Sequence, residues 1–453
     1  MVRRALDPSS GVRPAVLVLL ALLLTIAVAS GVAGSPRTAR AAETSVTVDL
    51  RATRQVIEGF GSSERVWNDP HLSNSPDTSV PRAAQAEILT ALYRRLGLTR
   101  LRPVLDNGVQ QRLNGPFDFS GKLGDAHAAF VKQARPYGLK TVFPGPVYLE
   151  DWMKENDPGS YVAWAMAMLR RWRANGVELQ LYAPLNEPKI AGDFAPEWMR
   201  QVVRQLGAQM RIEGFKTKLV IPDDENPIDA YRRAVVVLSD PVARQYVGAL
   251  AYHMYRDTTP DALGRMRALA TRYGLPVWMT EYSNGAYVDW RSALDWATKL
   301  HTVLTIGGVN AVDYLWGFFG DWVRSDTMLS IRFESGKYRG FDPTPLYWIT
   351  GQYSRFVKPG YRRLATKQNQ RPGPVITSAY RSSRRLVVIA TNQGDSDQTL
   401  NVSVRGGSTR GAVSAVRSSA SERWRRLSLG TSRGTFKTKL PGESVTTFVI
   451  RLS

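Results

Sequence analysis

Apolar and polar positions follow two different rhythms along this chain. From about residue 55 to 356, short apolar runs recur: QVIEGFGSS, LTRLRPVLDN, LKTVFPGPV, ELQLYAPLNE, TKLVIPDD, VGALAYHMY, LPVWMTEYS and AVDYLWGFF. The segments between them carry apolar residues at three- and four-residue spacing. That periodicity predicts helices over 81–96, 125–137, 161–175, 196–213, 228–239, 259–273, 290–306 and 345–356. Apolar strands alternating with helices imply a parallel sheet covered on both faces. Eight such units over roughly 300 residues favour a closed (β/α)8 barrel over an open sheet. No glycine-rich phosphate loop opens any helix, which argues against a nucleotide-binding alternative.

After Gly360 the rhythm changes. PVITSAY, RLVVIATNQ, QTLNVSVRG, AVSAVRSS, RRLSLG, GTFKTKL and SVTTFVIRL are short strand-like runs broken by Gly, Ser and Asn. This spacing predicts an antiparallel β-sandwich over 357–453. The alternating SVTVDL near residue 45 reads as a further strand of that sandwich, although it precedes the barrel. The expected division is therefore 1–42, a 43–356 barrel whose residues 43–50 serve the sandwich, and 357–453.

Residues 1–42 form a separate object. Arg3, Arg4 and Arg13 precede PAVLVLLALLLTIAVASGVAG, and Ala39-Arg40-Ala41 follows. Basic, apolar, then Ala-x-Ala reads as an export signal cut after Ala41 or Ala42, and so as a secreted, extracellular protein. The alternative is membrane or wall retention through an uncut run of about 20 residues. The chain has no cysteine, which excludes thiolate chemistry and cysteine metal sites. Its four histidines show no metal-ligand spacing, so no metal and no cofactor are expected.

The net charge of +21 is uneven. Residues 357–453 hold 18 Lys or Arg against 4 Asp or Glu. No nucleic-acid motif accompanies them. A contact between the basic sandwich and an anionic polymer or cell wall is one reading, and a solvated Arg-rich face is the other. The chain is expected to act as a monomer.

In a parallel barrel, chemistry sits at the C-terminal strand ends. Polar residues fall there on several of these strands. Strand four ends in Asn186 and Glu187, strand six in His253 and Tyr255, and strand seven in Glu281. Arg102 lies on strand two, Trp316 on strand eight, and strand one ends at Glu58 and GFGSS. Two carboxylates at strand mouths suit glycoside hydrolysis, one giving a proton and the other attacking or stabilising the sugar cation. Arg102 supplies a counter-charge for one of them. Asn186 is placed to hydrogen-bond a sugar hydroxyl. Trp67, Trp152, Trp290, Trp316 and Trp322 are candidate platforms for sugar faces, with ordinary packing the alternative for each. Residues 320–340 read as a long loop after strand eight; its Arg324, Arg332 and Arg339 could hold a uronate.

These motifs resemble glycoside hydrolase family 30, within the clan of (β/α)8 retaining glycosidases. PLNEP, WMTEYS, IEGFGSS and HMY carry the likeness, together with EDWMKEND and ITGQYSRFVKPGYRRL (residues 349–364). The resemblance implies Glu187 as acid/base and Glu281 as nucleophile, with Asn186 at the 2-hydroxyl. It places Arg102, His253 and Tyr255 around the nucleophile. Two departures concern substrate subsites: FPGPVYLEDWMK after strand three offers only Tyr148 and Trp152 as aromatics, and Leu185 stands where an amide is common. The substrate class implied is a β-linked polysaccharide or oligosaccharide. A transglycosylase would share every motif. A non-catalytic carbohydrate- or wall-binding protein would not need both glutamates.

Overall fold

The computed structural model describes residues 43–453, apart from 106, 122, 154–156, 286–288, 322–325, 371 and 432. The predicted export signal lies outside the described residues. No helix among those described is long and apolar enough to cross a membrane.

The eight predicted barrel strands form one parallel eight-stranded sheet. In chain order they are Gly59–Ser63, Arg100–Leu101, Thr141–Val142, Leu181–Tyr182, Lys218–Asp224, Val247–His253, Val277–Glu281 and Ala311–Trp316. Each strand pairs with its sequence neighbours except three with four, and the eighth pairs with the first. Between strands three and four, the Ala183 N–H donates to the Pro144 carbonyl and the Asn186 N–H to Pro146, both at 2.9 Å. Those bonds complete the ring. Strands two to four are shorter than their apolar runs suggest, because Pro103, Pro144, Pro146 and Pro184 remove ladder donors.

The helices follow their sequence signals. Pro196–Ile212 begins with a proline at its first turn and buries Trp198, Met199, Val202, Val203, Leu206 and Met210 along one stripe. Each such aliphatic side chain contributes roughly 1.5–3 kcal/mol. Asn226 caps the helix Pro227–Ser239 by accepting from the Ile228 and Asp229 amides. Pro260–Tyr273 is capped by Thr259 and stops at Gly274, whose φ of 65° suits a residue without Cβ.

The second sheet has nine strands. Glu43–Val56 lies inside it, antiparallel to Arg362–Gln368 and parallel to Gln398–Arg405. Its Val46, Val48 and Leu50 enter the apolar cluster of the sandwich, as their alternation predicts. The opposite face packs on the barrel through Tyr380, Val387, Ile389 and Val445.

The segment after strand eight departs from the loop expected there. Phe318–Gly320, Leu329–Glu334 and Lys337–Pro343 form a small three-stranded sheet. Ser335 and Gly336, at φ 49° and 76°, make the two-residue turn that the hairpin twist requires.

Candidate active site

The residues singled out on strands two, four, six and seven meet at one end of the barrel. Each stands at or just beyond the C-terminal end of its strand. Arg102 follows strand two and is 2% exposed. Its Nη1 donates to Glu281 Oε2 at 2.8 Å. Its Nε and Nη2 donate to Asp223 Oδ2 at 3.1 and 2.9 Å, and Nη2 also reaches Asn186 Oδ1. The Tyr255 hydroxyl donates to the other Glu281 oxygen at 2.7 Å. His253 Nδ1 lies 2.8 Å from Glu187 Oε1 and 3.9 Å from Glu281 Oε1. The facing oxygens of Glu187 and Glu281 and a ring nitrogen of His253 all lie within 4.8 Å of one another.

Glu187 has φ 45° and ψ 66°, a left-handed conformation that costs a non-glycine residue about 1–3 kcal/mol. Pro188 does more than end the strand. It opens a short helix, Pro188–Gly192, at whose start Glu187 stands without its side chain capping it. The Glu187 amide donates instead to the Asp223 carbonyl at 2.9 Å. The carboxyl group is thereby turned toward His253 rather than its own backbone.

Asp223 was not among the residues the sequence singled out, yet it links the others. It is fully buried and accepts from Arg102 and from the Thr280 hydroxyl at 2.5 Å. His253 Nε2 stands 3.5 Å from its other oxygen, near enough for charge attraction but long for a hydrogen bond. Burial would raise the Asp223 pKa, but Arg102 and His253, with Thr280, hold it well below the usual carboxylate range. Burial would likewise lower His253, but Glu281, Asp223 and Glu187 raise it to about 10. His253 is therefore an imidazolium at neutral pH. Asp223 obeyed the rule used for Asn186 and Glu281, as an acid ending an apolar strand in LVIPDD.

A second arrangement lies deeper in the barrel. Arg100 and Asp313, both fully buried, form a bidentate pair with bonds of 3.0 to 3.2 Å. The guanidinium lies 4.1 Å from the Trp278 ring centroid and 5.0 Å from that of Phe143. A Cβ on Gly61 would stand 2.3 Å from Asp313 Oδ1, so only glycine fits there. At the end of strand one, Glu64 is buried and accepts from Ser62 Oγ at 2.7 Å and from the Tyr93 hydroxyl at 3.1 Å. Burial outweighs those bonds and raises its pKa to about 8, with Asp313 adding slightly.

The other expected residues make contacts of their own. Glu58 precedes strand one at the barrel's opposite end and accepts from Trp278 Nε1 at 2.6 Å. Trp152 donates to the Gln110 carbonyl at 2.6 Å, tying the loop after strand three to the loop after strand two. Trp316 is half-buried, packs on Phe319 with centroids 4.6 Å apart, and lies under Arg65. Trp67 stacks on Phe318, and Trp290 donates to the Glu443 carbonyl in the sandwich; both serve packing. Trp322 and Arg324 lie outside the described residues. Arg332 pairs with Asp342 at 2.9 Å and Arg339 with Glu334 at 2.6 Å, both across the one hairpin after strand eight. Those two arginines thus meet carboxylates of the chain itself.

Glu187, His253 and Glu281 lie near enough to share one metal ion. The chemistry of the set does not fit that role. Both oxygens of Glu281 are already taken, by the Arg102 guanidinium and the Tyr255 hydroxyl.

No family model matches the chain. Among curated proteins, it is 26% identical to the glucuronoxylanase XynC of Bacillus subtilis strain 168, over 95% of this chain and 97% of that protein. It is 24% identical to the lysosomal acid glucosylceramidase of Mus musculus, over 61% and 60%. Among solved structures, the glycoside hydrolase family 30 subfamily 8 xylanase Xyn30A of Clostridium acetobutylicum superposes with a TM-score of 0.72, at 23% identity, over 90% of this chain and 99% of that one. The fold shared with that xylanase is a parallel barrel joined to a β-domain. The fold alone assigns no activity; the curated relatives mark the chain as an O-glycosyl hydrolase. More narrowly, the chain is similar in fold to glycoside hydrolase family 30 xylanases.

Proposed function

We propose that this protein is a retaining glycosidase that cleaves a β-linked polysaccharide of the xylan type by double displacement. The observation that carries the mechanism is the approach of Glu187 and Glu281, with facing oxygens within 4.8 Å. Measured between whole carboxyl groups, retaining pairs stand ~5–5.5 Å apart and inverting pairs ~6.5–9.5 Å, to admit a water; oxygens this close favour the shorter spacing. Glu281 is the nucleophile. Arg102 and Tyr255 each hold one of its oxygens, which fixes the carboxylate while leaving a lone pair for the anomeric carbon. Glu187 protonates the departing glycosidic oxygen. The C–O bond breaks as the Glu281–sugar ester forms. Glu187, now a carboxylate, takes a proton from water, which attacks the anomeric carbon and releases Glu281. His253, between the two glutamates, offsets their negative charge through both steps. Asn186, oriented by Arg102, presents its amide to the sugar's 2-hydroxyl.

The xylan reading is supported by the glucuronoxylanase likeness, which spans 95% of the chain against 61% for the glucosylceramidase. Export is part of the proposal and rests on the pattern in residues 1–42. Amino-terminal sequencing of secreted protein should begin at Ala42 or Glu43, and a retained Met1 would remove it. The substrate test is turnover of xylan and glucuronoxylan against β-1,6-glucan and aryl β-glycosides. Glu187→Ala should lose about 10²–10⁴-fold on xylan and far less on aryl glycosides with good leaving groups. Equal loss on both would refute the acid role.

A further inference from the structure

We propose that Arg385, Arg451 and Arg410 form a binding row for a linear acidic polysaccharide on the C-terminal sheet. The three lie on adjacent strands, Arg385–Asn392, Ser444–Leu452 and Thr409–Ser418. Arg385 stands directly opposite Arg451, and Arg451 directly opposite Arg410. Residues directly opposite project from the same face, and neighbouring strands are ~4.7–4.9 Å apart. Three guanidinium groups thus rise in a line across three strands, and all three residues are exposed. Two positions inward, Val387 pairs with Val449, and both pack against the barrel's apolar cluster. The row stands at the next step outward, where the sheet clears the barrel.

Like charges set directly opposite on a sheet are destabilising. A chain that only needed solubility could offset them with acids. Elsewhere in this sheet it does so: Arg417 and Arg425 share Glu422 at 2.5 and 2.7 Å. None of the row's arginines has a carboxylate partner among the described residues. The cluster most conspicuous in the sequence, Arg423, Arg425 and Arg426, is partly engaged, since Arg423 also donates to the Ser419 carbonyl. A line of forked donors with no internal acceptor fits carboxylates repeated along an extended polymer. Several weak contacts on one polymer chain add through effective concentration. The choice of a polysaccharide over other polyanions rests on the glycosidase reading of the barrel. The row itself does not.

The test is affinity electrophoresis of the whole protein through polygalacturonate, with carboxyl-reduced polymer and polyphosphate as comparison gels. Wild type should be retarded by polygalacturonate at low salt and released at moderate salt, because such attraction is screened within ~8–10 Å. R385Q/R410Q/R451Q should bind at least about fivefold more weakly, whereas R423Q/R425Q/R426Q, with the same charge removed, should stay within about twofold. Polygalacturonate should raise the Tm of wild type and not of the row variant. Turnover of a small aryl glycoside should be equal in all three proteins, so loss of the row is distinguishable from failure of the catalytic reading. No retardation of wild type, equal weakening by both triple variants, or equal retention on polyphosphate or the reduced polymer would overturn the proposal.

Discussion

Two arginines on one strand show what separates support from chemistry in this barrel. Arg100 and Arg102 stand two residues apart, so both point inward, and both are buried. Arg100 meets one carboxylate, Asp313, between the rings of Trp278 and Phe143. Its surroundings are otherwise small and apolar, with Ala183, Ala249, Ala251 and Ala311 in the same cluster. Arg102 is one layer nearer the mouth and divides its donors among Asp223, Glu281 and Asn186. Of those partners, Glu281 is not sealed: its side chain is 10% exposed, against 0% for Asp313. The same side chain, moved one layer, changes from closing a core to holding a reactive group in place. Burial alone does not mark a functional charge. A buried cation whose acceptor still reaches solvent does.

The comparison breaks first at the nucleophile. Glu281→Ala should cost on the order of 10⁴–10⁶ in kcat while the fold survives. Added azide should restore turnover and give a glycosyl azide of inverted configuration. Unchanged turnover, or recovery without azide, would place the chemistry elsewhere.

A smaller effect separates the two arginines. Asp313→Asn leaves the Arg100 charge buried without its counter-ion and should cost roughly 3–5 kcal/mol, read as a lower Tm, with kcat per folded molecule kept. Replacing both partners, as in R100M/D313L, should recover most of that loss. Arg102→Met should do the reverse, costing turnover that no apolar partner substitution restores. Matching losses of kcat at both positions would erase the distinction.

The smallest effect concerns Glu64, just beyond the end of strand one. Its folded pKa of about 8 exceeds the ordinary 4.5, so the unfolded chain ionises first as pH rises. Its contribution to stability is full below about pH 4.5 and declines until about pH 8. Denaturant unfolding of wild type and Glu64→Gln across that window should show the wild type losing ground steadily. A difference that stays constant with pH would mean that Glu64 is not held neutral.

Much of this arrangement was legible in the sequence because barrels punctuate it. Apolar runs end where side chains reach the mouth, so Asn186, Glu187, His253 and Glu281 stood out as polar residues at those ends. Asp223 carries the same signal, as an acid closing the strand LVIPDD. Arg100 and Asp313 gave no such signal, since each lies inside an apolar run and they pair across 213 positions of sequence. Periodicity reports which face a residue takes, not which distant residue it meets there. Glu58 shows the converse error, because it stands where its strand begins rather than ends. The hairpin after strand eight was legible in principle, from LSIRFE and KYRGFDP flanking Ser335-Gly336. Its length and charge drew attention to a loop instead.

The central claim is that Glu187 and Glu281 act as a retaining pair. Proton NMR of the first products released from xylan, recorded before mutarotation, tests it most directly. A retaining pair gives β-configured reducing ends, the configuration of the bond cleaved. Products that appear first as the α-anomer would show a single displacement and contradict it.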